Sequence, residues 1–480
     1  MIYIILAAYL IFTLVVGLIG HKLASGTVDD YFLAGRTIGP IVLFFTLIST
    51  NFSAFFFLGF AGAGYRIGYS YYPIMAFGTA FVGLAFYFIG YRVWRLGKAY
   101  GSVTPPELIG HLTGSRPLRL VFLTVMVLFT VPYLALQPIG AGYLLEQLTG
   151  GRIPFFAGAT LLTVSMVFYV FLGGMRGVAA TDVLQGVLMF VLMTLAVILI
   201  ADQFGGITAA NTLVRQSHPE LFTRQGGGGF FTPGIWVSYM VLWVLAVPMF
   251  PQVFMRFFIP RTSQSLKVAA ALYPVVCATI FIAPILIGVI GRIAFPDLAG
   301  TESDQILPML LAEFVPEWLA GLIMVGALAA FMSTMDSQLL ALSSMLTRDA
   351  YVDLVHRDAD VRRQVRVGKL MVVVLAAVGL AIALRPPDTI FAIATQAFTG
   401  LAVLFPTTIA VLYWRRVHPR SCVASIVTGQ ILVIAYHYDW LPEGAALGLL
   451  PVVPIVAVCT AIIVAGSLAA GSRNGQTAPH

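Results

Sequence analysis

About thirteen stretches of roughly 20 apolar residues, each long enough to cross a hydrocarbon layer about 30 Å thick, divide this sequence, with short polar links between them. They lie near 2–20, 38–64, 70–91, 119–145, 154–172, 177–201, 234–256, 268–294, 304–348, 367–384, 389–413, 421–437 and 447–470. The ninth is too long for one crossing, so its first part is expected to be an external amphipathic turn leading into a span that starts near Trp318. Almost nothing is left over for a soluble domain. With 59% hydrophobic and 10% charged residues, the chain is expected to be one transmembrane domain over 1–480, all-α and multi-pass in the cell (inner) membrane. A secreted enzyme, a nucleic-acid partner and a receptor with a large cytosolic half are excluded.

The formal charge of +7 is therefore read as topology. Assigning alternate links to opposite sides leaves only Arg66, Arg152, Arg215, Arg224, Arg292 and Arg385, of 27 Lys and Arg, on one side. The other side, which includes Lys22, Arg256 and Arg473, should be cytoplasmic, placing the N-terminus outside and the C-terminus inside. The first segment lacks a basic leader and a small-residue cleavage pattern, so it is expected to be a retained helix. Cys277, Cys422 and Cys459 stand alone in apolar segments with no metal or dithiol spacing. The external link 201–231, with its glycine run at 226–229, is expected to be a loose loop, and the inner link 347–366 a short solvated helix.

Polar side chains inside spans are costly in lipid and usually line a cavity or a bundle interior. The candidates are Ser49, Thr50, Asn51 and Ser53 in the second segment, Gln137 in the fourth, Asp182 and Gln185 in the sixth, Ser333, Thr334, Asp336, Ser337 and Gln338 in the ninth, and Thr395, Gln396 and Thr399 in the eleventh. Ser333, Asp336 and Ser337 stand at i, i+3 and i+4, so three oxygen-bearing side chains share one helix face. Hydroxyls and free carbonyls, with no His or Cys nearby, suit a hard monovalent cation such as sodium. The plainer alternative is that the hydroxyls bond back to their own helix carbonyls.

The second segment is interrupted by the polar run 49–53 and by Gly59, Gly62 and Gly64; the seventh contains Pro248 and Pro251. Both are expected to unwind near mid-membrane. They stand five segments apart, at corresponding places in two halves, 38–201 and 234–413. Because five is odd, the second half is inverted, the arrangement of secondary transporters with a site where the repeats cross. One extra helix (2–20) precedes the repeats and two helices (421–470) follow them. Close helix packing is the alternative role for these Pro and Gly residues.

Several runs together resemble the sodium/solute symporter family. They are DYFLAGR at 30–36 with Gly39 and Pro40, GGMR at 173–176 followed by TDVLQ at 181–185, PQVFMR at 251–256, AAFMSTMDSQLLALSSMLTRDAY at 329–351 and TGLAVLFPTTIAVLYW at 399–414. The resemblance spans nearly the whole chain and implies a LeuT-like five-plus-five inverted repeat. It also implies a shared sodium site made by the carbonyls of Ser49, Phe52 and Ala330 and the hydroxyls of Ser333 and Thr334. Members with a second sodium site use an aspartate at the position of Asp182 and hydroxyls at those of Ser333 and Ser337; the middle position, usually a hydroxyl residue, is Asp336 here. A second cation or a coupled proton is expected there.

Substrate residues transfer less directly. Gln396 matches a substrate-contacting glutamine of sugar members, but their acidic residue in the third segment and their lysine in the eighth are absent, and the proline members' aspartate is Asn51. A pocket of Asn51, Ser53, Tyr72, Gln137, Trp243 and Gln396 offers neutral hydrogen bonds and aromatic walls, suited to a small organic anion such as a monocarboxylate, a pantothenate-like acid or an amino acid. The chain is thus expected to be a sodium-coupled symporter rather than an enzyme, working as a single chain in the bilayer with sodium and a small solute as its partners. A membrane sensor or an uncoupled conduit of the same fold is the alternative.

Overall fold

A computed structural model describes residues 1–22, 27–442 and 444–470; Arg473 and the side chain of Lys22 lie outside the described residues. Nine helices among them are long and apolar enough to cross a membrane, and a pair bent by 58° makes a tenth. Ile2–Val16, Phe155–Phe171 and Pro233–Met249 are shorter apolar helices.

The chain runs through α1 (Ile2–Lys22) to a broken pair, α2 (Pro40–Asn51) and α3 (Phe60–Ile67). Pro40 follows Gly39 at the first helical position, where its missing N–H costs nothing. Then come α4 (Tyr71–Tyr100), α5 (Arg116–Leu148) and α6 (Phe155–Asp202). The last joins two expected segments at Gly174, whose φ of 53° and ψ of −156° favour glycine; a Cβ there would lie 2.8 Å from the Tyr31 ring. A second broken helix follows, α7 (Pro233–Ala246) and α8 (Pro251–Arg256), interrupted at Phe250 in extended conformation. The remainder is α9 (Ser263–Ile280), α10 (Ile282–Ala294), α11 (Ile306–Phe314), α12 (Glu317–Met345), α13 (Val361–Ala383), α14 (Ile390–Ala402), α15 (Leu404–Tyr413), α16 (Pro419–His437) and α17 (Val452–Ala469).

Helix α12 is apolar or small nearly all round, the pattern of a helix with no free face. Of its most apolar window 83% is buried, against 28% for α13 and for α17, so α12 is central and those two are peripheral. It packs on α6, α5 and α2, which brings its polar face against the first break. The span begins at Glu317, as expected, after the separate helix α11.

Two links differ from expectation. The external one is folded: Ile207–Ser217 is helical, Val214 and Leu221 are buried, and a Cβ on Gly227 would lie 2.1 Å from the Arg66 carbonyl, so the glycines allow the link to lie directly on the end of α3. The inner one continues α12 as a π-helical stretch, Leu346–Val355, rather than a solvated helix. Its Asp349 is fully buried and accepts hydrogen bonds from Arg119 Nε at 2.7 Å and Thr104 Oγ1 at 2.6 Å; a charge without water needs such partners.

Candidate functional site

Helix α2 stops because Phe52 leaves helical space (φ −95°, ψ 103°), and the chain regains it through one π turn at Phe55–Gly59. The break frees backbone groups that must be satisfied away from water. Helix α5 supplies part of the answer: Gln137 Oε1 accepts the Ala54 N–H at 3.0 Å, and Tyr133 OH shares a 2.8 Å hydrogen bond with Ser53 Oγ. Helix α12 supplies the rest. Ser333 Oγ donates to Ser49 O at 2.9 Å and to Ala330 O at 3.0 Å. Thr334 Oγ1 donates to Ser49 O at 3.4 Å and to Phe52 O at 3.3 Å. Three carbonyl and two hydroxyl oxygens, all from fully buried residues, therefore converge across the α2–α12 contact. The set is uncharged, hard and oxygen-only, which fits sodium and disfavours softer metals.

Beside it lies a second, charged cluster. Asp182 of α6, Arg256 of α8, and Asp336 and Ser337 of α12 are all without exposure. Thr46 and Arg256 both bond to Asp182 Oδ2, with Arg256 Nη2 at 3.4 Å. Arg256 also donates to Ser337 Oγ, to Thr46 Oγ1 at 3.2 Å and to Gln252 O at 3.2 Å. Ser337 donates in turn to Asp336 Oδ1 at 3.0 Å, Tyr169 OH donates to Asp336 Oδ2, and Thr50 Oγ1 donates to Ser337 at 2.6 Å. Asp182, Asp336 and Ser337 are thus brought together, while Ser333 turns towards the α2 break.

The residues chosen for substrate divide. Ser53, Gln137 and Trp243 gather at the break, with Trp243 packed edge-on against Phe398 at 4.4 Å and near Phe55 at 5.7 Å. Asn51 and Tyr72 point at α9, Asn51 donating to Tyr273 OH and Tyr72 to Ala278 O. It is the neighbouring Tyr71, fully buried, whose ring meets Phe60 at 5.5 Å and Phe391 at 5.4 Å. Gln396 is exposed on the outer flank of α14. At 100° per residue it lies about 160° round the helix from Phe398, which faces inward. The hydroxyls of Thr395 and Thr399 bond back to Phe391 O and Thr395 O. Among the described residues the hydroxyl of Tyr71 and the indole N–H of Trp243 are buried without a hydrogen-bond partner.

Sequence reasoning assigned no role at the site to Thr46, Tyr71, Tyr169 or Arg256. Thr46 carried a signal, standing four residues before Thr50 on the same face. Arg256 was counted as an inner-side charge, yet it follows Pro251 by five residues and so sits within a short half-helix of the break. Tyr169, in an apolar aromatic run, carried none.

A sequence model of the Sodium:solute symporter family matches residues 31–429. The sodium/pantothenate symporter of Escherichia coli (strain K12) is 28% identical over 418 residues, covering 86% of this chain and 85% of the relative. The sodium/proline symporter of Staphylococcus aureus (strain JH9) is 26% identical over 477 residues, 96% and 92% of the two chains. Among solved structures, a substrate-bound, outward-open Na+-coupled sialic acid symporter superposes with a TM-score of 0.83 at 21% identity, covering 98% of each chain. A nucleobase-cation-symport-1 family transporter with bromovinylhydantoin bound superposes with a TM-score of 0.62 at 15% identity, covering 92% of this chain and 94% of that one. At these identities the two structures speak for the fold alone.

Proposed function

The chain belongs to the sodium:solute symporter family and is a multi-pass, sodium-coupled solute transporter rather than an enzyme, and from that premise we propose how its own residues carry the coupling. Sodium binds among Ser49 O, Phe52 O, Ala330 O, Ser333 Oγ and Thr334 Oγ1. The observation that carries this reading is the aim of two α12 hydroxyls at carbonyls that the α2 break leaves open. Binding there ties the broken helix to the central one, completes the solute pocket on the other side of the break, and lets the repeats rock to an inward-facing state.

The solute is a small organic carboxylate. Trp243, Tyr71, Phe55 and Phe398, with Ser53 and Gln137, form an aromatic enclosure whose named members carry no carboxylate and no cationic side chain, so sodium at the break is the charge that offsets an anion. Buried and unpartnered, the indole and phenol groups are the polar handles for it. Asn51 and Tyr72 stand behind this wall, on its α9 side, and Gln396 plays no part. Asp182, Ser333, Asp336 and Ser337 are the seat of a second positive charge, a cation or a proton; an Asp336→Ser protein in which both the sodium and the pH dependence of uptake are unaltered would remove that role.

Counting the three shorter apolar helices as spans gives thirteen, with the N-terminus outside, the C-terminus inside, and two inverted repeats whose broken helices, α2–α3 and α7–α8, occupy corresponding places. The working unit is one chain in the inner membrane. The test is thermal stabilisation of the purified protein across a panel of carboxylates, amino acids and vitamins, each in sodium and in potassium. A solute that stabilises only with sodium is expected; stabilisation indifferent to the cation would favour an uncoupled conduit.

A further inference from the structure

A guanidinium removed from water is tolerated only when its donors are matched by acceptors, preferably anionic ones. Arg256 has no exposure, and two of its four hydrogen-bond partners, Asp182 and Ser337, belong to the second cation seat. It reaches Asp182 and Ser337 directly, and it reaches Asp336 through Ser337, whose hydrogen goes to Asp336 Oδ1. Ser333, the remaining member, is committed to Ser49 O and Ala330 O. Among the described residues the seat's oxygens are thus divided: Asp182 Oδ2 and Ser337 Oγ are taken by the arginine, Asp336 by Ser337 and Tyr169, and Ser333 by the α2 break, with Asp182 Oδ1 left unbonded.

Two features explain why an arginine can sit there. Asp336 adds a second carboxyl to that of Asp182, so the guanidinium has one acid as a direct partner and a second one through Ser337. The donors also run one way: Arg256 to Thr46 to Asp182, and Arg256 to Ser337 to Asp336, with Tyr169 closing on Asp336. The same bonds span the two repeats. Arg256 ends the second broken helix, whereas Thr46 and Thr50 belong to the first, one turn and one residue respectively from Ser49 of the sodium site.

We propose that Arg256 is a tethered cation: its guanidinium fills the second cation seat permanently, joins the two broken helices, and leaves this transporter to bind one sodium ion per chain, at the α2–α12 site. The proposal rests on the sodium reading above and narrows its second positive charge to one supplied by the chain itself.

The test counts sodium ions on the purified protein by equilibrium binding of radioactive sodium, with the sodium dependence of Tm as a second readout that needs no transport. Wild type is expected to bind one ion with a Hill coefficient near one. The double variant Arg256→Gln/Asp336→Ser removes the tethered cation together with the extra carboxyl, opening a seat of one carboxylate and three hydroxyls, and is expected to bind two. Arg256→Lys keeps a tethered cation and should stay at one. Two ions on wild type, or one on a folded double variant, would overturn the proposal; the wild-type count does so even if the double variant does not fold. No sodium binding by wild type would instead overturn the site reading on which it rests.

Discussion

Thr334 faces two carbonyls of an interrupted helix at once, and this is what separates it from the back-bonded hydroxyls of Thr395 and Thr399. Replacing it by valine keeps the shape of the side chain and removes only the oxygen. Loss of one such ligand costs about 1–3 kcal/mol, so Thr334→Val should weaken sodium binding roughly tenfold to a hundredfold in a sodium titration of Tm. An unchanged midpoint would mean that sodium binds elsewhere. At the solute wall, Tyr71→Phe is expected to lower solute affinity measured in saturating sodium, by the loss of one buried hydroxyl. Gln396→Ala should leave both that affinity and the stability, within about 0.5 kcal/mol, as they were. The reverse ranking would restore Gln396 to the pocket and remove Tyr71 from it.

The ends of two elements meet on Asp304. Its Oδ2 accepts the N–H of Ile390 at 2.7 Å at the start of α14, and its Oδ1 pairs with Arg66 Nη1 at 3.4 Å at the end of α3, so one carboxyl outside the spans clamps half of the broken helix to the helix carrying Phe391 and Phe398. Burial raises the Asp304 carboxyl from 3.8 to about 6, with Arg66 opposing. Because the folded state holds this proton more tightly than the unfolded chain, the associated stability is full below pH about 4 and is lost as pH rises through about 6. Wild-type Tm should therefore carry a falling component across that window. In Asp304→Asn the Tm profile should lack this component, whatever the absolute loss from weakening the cap on Ile390; parallel profiles would mean that the carboxyl titrates normally. The breaks themselves were legible, since Pro251 and the polar run at 49–53 disrupt helices by local chemistry. The turn at Gly174 was legible as a gap between two segments.

For the whole molecule, coupling requires sodium and solute to favour the same conformation, so each must raise the other's affinity by the same factor. Raising sodium stepwise in proteoliposomes should lower the half-saturating solute concentration until sodium saturates. A solute affinity flat across that range would remove the coupling, even if sodium binds. The clamp at Asp304 and the ion pairs of Arg119 with Asp349 and of Arg348 with Glu107 link segments far apart in the chain. The all-helical, many-spanned character of the chain, the two helix breaks and the shared face of the α12 hydroxyls follow from the sequence, because apolar length, proline placement and helical spacing act within a few residues of the chain. Which groups meet Arg256, why Tyr71 and not Tyr72 faces the aromatic enclosure, and where Gln396 points were decided only by tertiary packing. Those outcomes depend on the rotation of each helix about its axis, where one residue is a turn of about 100°, and on buried charges finding partners from segments 74 and 210 residues away.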